Sequence, residues 1–110
     1  MITTIGSPAL AMGPRGINGQ LDQVLFPLLH GTLFYVGMDV LPPLAVHGAD
    51  RATADDYVAA VTCLERRLSD LWAVEPLRYR HQNRGDYDQN LVLDPQLCPG
   101  EGGIHVHTRP

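Results

Sequence analysis

Cysteine is scarce in this chain: only Cys63 and Cys98 occur among 110 residues. One falls in a helix-like stretch and the other in a Pro/Gly-rich tail. Neither their number nor their spacing suits a disulfide framework or a zinc site, so no metal is expected. Both read as reduced thiols of a cytoplasmic protein. A basic excess is also missing. The formal net charge is -4, and Arg66 with Arg67 is too small a patch to attract nucleic acid or an anionic membrane. No basic segment followed by a signal-length apolar run opens the chain. The most apolar window, Val24 to Val36, is interrupted by Pro27, His30, Gly31 and Thr32. It falls short of the ~20 apolar residues that a bilayer span needs. Neither a dinucleotide G-x-G-x-x-G nor a P-loop spacing occurs.

What is present fits one folded domain: apolar residues make up 45% and mean hydropathy is -0.07. Met1 to Gly6 is a β-branched run that reads as a strand. Ser7 to Gly19 holds two prolines and three glycines, which predicts a loop without a regular element. Gln20 to Tyr35 reads as a helix with Leu21, Val24, Leu25, Leu28, Leu29 and Leu33 on one face. Phe26, Phe34 and Tyr35 widen that surface. Such a helix needs cover on more than one side: a sheet on one, another domain or a second copy of the chain on the other. Pro27 predicts a kink or a break, and Gly37 a stop.

Met38 to Gly48 reads as a second strand, made an edge or bulged by Pro42 and Pro43. Thr53 is a good N-cap for a one-faced amphipathic helix running to about Trp72, with Asp55 and Asp56 in its first turn. From Ala73 the pattern fails. "NLVL" is a short strand candidate there, and the rest reads as an irregular tail that wraps over something or stays mobile.

The order strand, loop, helix, strand, helix, tail predicts an α/β class with parallel strands and a right-handed crossover. Two strands are too few for a parallel sheet covered on both faces. The chain is therefore expected to be the C-terminal part of a doubly wound domain. In such sheets ligands sit outside the carboxyl ends of the strands. The Ser7–Gly19 loop leaves that end and runs into a helix N-terminus, where free N–H groups meet anionic or carbonyl-bearing ligands. Gly6 would let a flat ring approach the backbone. The bare pattern also describes an ordinary long loop.

The stretches "TTIGSP", "GINGQLDQVLFPLLHGTLFYVGMDVLPPLAVHG" and the amphipathic helix after them resemble the C-terminal half of the NAD(P)H:quinone oxidoreductases (DT-diaphorase type) of the flavodoxin-like superfamily. The likeness spans Thr3 to about Leu77. It implies a flavodoxin-like parallel sheet, with 1–77 as the C-terminal half of that domain and 78–110 as the irregular tail. It further implies FAD or FMN, NAD(P)H as co-substrate, a quinone as acceptor and a homodimer with the flavin at the interface. Carried over residue by residue, the flavin-ring contacts fall on Thr4, Ile5, Gly6 and Ser7 through backbone N–H groups. A Tyr and a His that support charge on the reduced ring in mammalian-type members fall on Met12 and Asn18. Asn18 is thus the catalytic-position residue, although it does not titrate near neutral pH, and Met12 donates no hydrogen bond. The family's phosphate-binding loop follows its first strand and has no counterpart in these residues. The alternative is a non-enzymatic dimerising or regulatory fragment, such as an ancillary protein of a potassium efflux system.

Several lesser signals have plain readings. His105 and His107 in "HVH" alternate as on a strand face, lack a third ligand, and read as solvated tail. Arg84–Gly85–Asp86 is a chance triplet. His30 reads as a packed or interface residue, His47 as a polar residue near the ligand edge, and Cys63 as a small core filler.

Overall fold

The computed structural model describes residues 2–110; Met1, the first residue of the expected opening strand, lies outside them. Strand β1 is Ile2–Ile5, two β-branched pairs that suit a pleated surface. It pairs in parallel with β2, Leu44–His47, in the register Ile2 to Leu44 through Ile5 to His47. The expected strand from Met38 is therefore only four residues long. It starts just after Pro43, since a residue without an N–H joins no ladder. The prolines end up in a connection tied from outside: Arg67 Nη1 donates to the Pro42 carbonyl at 2.9 Å, and the Leu77 N–H donates to the Val40 carbonyl at 2.7 Å.

Helix α1 spans Leu21–Leu28, and Leu29–Phe34 continues it as a π-helical segment. The helix does not break at Pro27. That proline has no N–H for the carbonyl four residues back, and the turns beyond it widen instead. The Tyr35 N–H reaches the His30 carbonyl, five residues back, at 3.0 Å, and Thr32 Oγ1 donates to the Pro27 carbonyl at 3.3 Å. Gly37, with φ +90°, ends the run as expected.

Helix α2 is Ala54–Ser69. Thr53 Oγ1 accepts the Asp56 N–H, and Asp56 Oδ2 accepts the Thr53 N–H, a reciprocal cap. The Thr53 hydroxyl also donates to Asp56 Oδ2 at 2.7 Å, and this bond, with that from the Thr53 N–H, holds the Asp56 carboxyl below its ordinary range. The helix stops short of Trp72, which lies in a separate 3₁₀ turn, Leu71–Ala73, and is 96% exposed. No residue of α2 is buried, and Tyr57, Val58 and Leu68 lie open.

The core does not lie between α1 and the sheet, where the first face of α1 was expected to pack. Leu29 of the π-helical segment meets Val40 and Tyr79, with Leu25, Phe26, Leu33, Phe34 and Leu77 around them. The tail supplies one of the three buried residues of this contact, Tyr79, so it covers α1 rather than trailing from it. It is irregular but stapled, by bridges Tyr79 to Thr108 and Tyr87 to Leu93. The second involves one residue of "NLVL" and makes no strand.

Arg80, buried, donates from Nε to the Val106 carbonyl at 2.9 Å and from Nη1 to Asp86 Oδ2 at 3.3 Å. Arg109 Nη2 reaches the same Asp86 oxygen at 2.8 Å. These hydrogen bonds, Arg109's above all, hold the Asp86 carboxyl below its usual range. The carboxylate of the Arg84–Gly85–Asp86 triplet is thus engaged inside the tail.

The chain does not close on itself. Its radius of gyration is 16.5 Å, against ~13 Å for a compact chain of this length. It exposes 8098 Å², where a compact monomer of its mass would expose ~6,000 Å². Exposed large apolar side chains occur on the loop (Leu10, Ile17), on α1 (Val24, Leu28), on α2 (Tyr57, Val58, Leu68) and in the tail (Leu91, Val92).

Candidate flavin-ring site

Because β1 and β2 run parallel, Gly6–Ser7 and the Gly48–Arg51 turn leave the sheet at the same edge. The two are joined there: the Gly48 N–H donates to the Ser7 carbonyl at 3.0 Å. Gly6 is exposed, and the nearest atoms that a methyl group built on it would meet belong to the Asp50 side chain, 3.7–3.9 Å away. The approach to this glycine is otherwise open, as a flat ring lying on the backbone requires.

The loop behind this edge is not floppy. Ala9–Met12 forms one 3₁₀ turn, a regular piece where none was expected. The Ala11 carbonyl then accepts the Asn18 N–H at 3.0 Å, closing the loop on itself. Gly16 lies against that closure. A Cβ there would overlap the Ala11 carbonyl group, which is backbone and cannot rotate away. Gly19, at φ +76°, turns the chain into α1.

The closure brings together two of the expected residues. Asn18 Nδ2 donates to Ser7 Oγ at 2.9 Å. A hydroxyl has one proton to give and two lone pairs. With one lone pair occupied by Asn18, the Ser7 proton is free to donate outward at the strand edge, and Asn18 Oδ1 remains an acceptor. Thr4 and Ile5 are the last two residues of β1 and adjoin this pair along the chain. Met12 is not part of it. It lines a 690 Å³ cavity between the loop, α1 and the tail.

His47 ends β2 opposite Ile5, and its Nδ1 is buried without a partner. Sequence reasoning missed Asp50, the neighbour of Gly6. Only the strand register carries it there, and the sole local signal was its place just after a strand. Its carboxylate lies 3.7 Å from Arg51 Nε, a loose and exposed pair.

The histidines depart from their expected settings. His105 and His107 lie on a 3₁₀ turn, Ile104–His107, not on a strand face. His105 Nε2 lies 2.9 Å from Glu101 Oε2. His107 is half-buried rather than solvated: its Nδ1 meets the Tyr87 hydroxyl at 2.9 Å. His30 is packed, as expected. It stacks on Phe26 at 4.6 Å and 7°, with Phe34 at 5.4 Å and the Tyr79 edge at 4.9 Å. Its Nε2 is buried and unpartnered, and burial pushes its pKa down, with the His107 charge adding to the effect. Cys63 is half-exposed and accepts a weak contact from Arg66 at 3.7 Å, so it fills no core. Among the described residues no three His, Cys, Asp or Glu side chains are grouped to hold a metal ion, and no helix is long and apolar enough to cross a membrane.

Comparison with known proteins agrees with this geometry. The family model described as "Flavodoxin-like fold" matches residues 1–68. The ribosyldihydronicotinamide dehydrogenase-like protein traD of Penicillium crustosum is 32% identical over 99% of this chain and 40% of its own length. The human ribosyldihydronicotinamide dehydrogenase [quinone] is 32% identical over 67% of this chain and 32% of its own. A crystal structure of a candidate quinone reductase from Klebsiella pneumoniae superposes with a TM-score of 0.96 at 45% identity. It aligns with 98% of this chain and 42% of its own. The chain thus spans about two-fifths or less of these relatives. A parallel strand pair, a glycine-locked loop at its carboxyl edge and the family-model match over residues 1–68 lead to one placement: the chain belongs to the flavodoxin-like family.

Proposed function

We propose that this chain carries the flavin-ring half of an NAD(P)H-dependent quinone oxidoreductase. Thr4, Ile5, Gly6 and Ser7 hold the edge of an isoalloxazine of FAD or FMN, and a homodimer forms through the outer face of α1. A bound flavin would supply two-electron chemistry between NAD(P)H and a quinone. The chain's own residues bind and orient. Gly6 leaves room for the ring face, and the Ser7 hydroxyl donates to a ring acceptor while Asn18 fixes its rotamer. Asn18 positions rather than titrates, so proton delivery falls to water or to another part of the protein. Asp50 puts a negative charge beside Gly6 and opposes accumulation of negative charge on the ring. Cytoplasmic residence fits the two free thiols.

The observation that carries this reading is the Ser7–Asn18 hydrogen bond at the carboxyl edge of two parallel strands, beside a glycine with an open approach. The test is a titration of the chain with FMN and FAD, followed by flavin fluorescence, with Ser7→Ala and Asn18→Ala alongside. Binding that weakens in both variants supports the reading. Absence of flavin binding, together with no oxidation of NAD(P)H by a quinone, favours the non-enzymatic dimerising or regulatory fragment instead.

A further inference from the structure

A second cavity, of about 460 Å³, opens between the π-helical end of α1 and the tail. It falls within the ~300–1,000 Å³ typical of small-molecule sites. It shares no residue with the Thr4–Ser7 turn. One wall is aromatic. Phe26, His30 and Phe34 recur every fourth residue along the helix, and their rings form a column. His81 from the tail leans on Phe34 at 4.9 Å.

The opposite wall is cationic and donor-rich. It comes from the turn His81 to Arg84, with Arg80 behind it. The Arg80 charge is already matched by Asp86. Arg84 is exposed and has no ion-pair partner among the described residues. No Asp or Glu lines the cavity, although carboxylates outnumber arginines in this chain, twelve to eight. The 690 Å³ cavity differs in this respect, because Asp22 borders it.

An aromatic wall rewards a flat apolar body through stacking, and an unpaired guanidinium facing it rewards a planar anionic group. From this pairing we infer that the cavity between α1 and the tail binds a planar aromatic carboxylate. The ring lies along the Phe26–His30–Phe34 column, and the carboxylate meets Arg84, with His81 beside it. Buried Arg80 sets the field behind the carboxylate without leaving Asp86.

The probe is 1-naphthoate, titrated calorimetrically into the full chain, with neutral 1-naphthalenemethanol as its uncharged match. The acid should bind more tightly than the alcohol. Arg84→Glu should weaken the acid about tenfold and leave the alcohol unchanged. Arg84→Gln, which keeps a polar side chain on the same exposed turn, should give an intermediate loss and carries the test if the glutamate variant misfolds. Asp22→Asn, beside the other cavity, should change neither affinity. Equal binding of acid and alcohol, or an Arg84 change without effect, overturns the assignment. A naphthoate response to Asp22→Asn instead overturns it in favour of the neighbouring cavity. Flavin titration reads the carboxyl edge of the sheet, which lends no residue to this cavity, so it fails or succeeds separately.

Discussion

Replacing Gly16 by alanine tests the reasoning about the loop most directly. The added Cβ would overlap the carbonyl group of Ala11 and crowd the Leu10 carbonyl. Both are backbone, so no side-chain rotation relieves the overlap and the loop has to open. Opening breaks the 3.0 Å bond from the Asn18 N–H to the Ala11 carbonyl, worth about 0.5–1.5 kcal/mol net. It also draws Asn18 away from Ser7. Overpacking of this kind typically costs ~1–3 kcal/mol. Alanine offsets ~0.4–1 kcal/mol by stiffening the unfolded chain. The balance is a loss of about 0.5–4 kcal/mol, and the melting midpoint should fall by ~4–8 °C for each kcal/mol lost in a chain of this size.

Gly31→Ala is the matched control. That glycine lies inside the helical run with open space around its Cβ position, so the change should gain ~0.5–1 kcal/mol. Thermal melting by far-UV circular dichroism reads both variants. A Gly16→Ala chain that melts at or above the parent temperature refutes the closed loop, and with it the placement of Asn18 on Ser7.

Three further outcomes follow from the packing. His30 and His107 both lie below the ordinary imidazole range because burial disfavours the cation; neighbouring positive charge adds to this, from His107 on the first and from Arg80 on the second. The unfolded chain therefore takes up protons first as pH falls, so stability is complete above ~6.5 and declines below it. The urea midpoint should drop from neutral to mildly acidic pH, and less steeply in His30→Phe; an equal slope in both contradicts the sealed imidazole. Thr53→Ala removes the acceptor of the Asp56 N–H and should cost ~1 kcal/mol, while Thr53→Asn restores most of it; denaturant unfolding of the two side by side checks the cap. Asp86→Asn withdraws the charge shared by Arg80 and Arg109 and should speed protease cleavage within 78–110, with cleavage elsewhere unchanged. A uniform speed-up would mean that Asp86 supports the whole chain rather than the tail.

The sequence by itself determined the features that depend on neighbours along the chain. Four β-branched residues in a row made β1, and the Thr53–Asp56 spacing made the cap of α2. The glycine and proline count marked the loop, and the α/β order was readable from periodicity alone. The likeness of "TTIGSP" and "GING" pointed to the Ser7–Asn18 neighbourhood before any distance was known. What the tertiary structure decided concerns residues far apart in sequence. Strand register placed Asp50 beside Gly6. The tail, which has no period to read, docked Tyr79 on Leu29 and moved the core away from the sheet. Pro27 widened a helix rather than breaking it, because the turns beyond it found carbonyls one residue further back. Periods, caps and turn residues act through bonds a few positions long, and a sequence displays those openly. Which distant surfaces meet depends on the shape and burial that all segments reach together, and no short stretch of the chain contains that information.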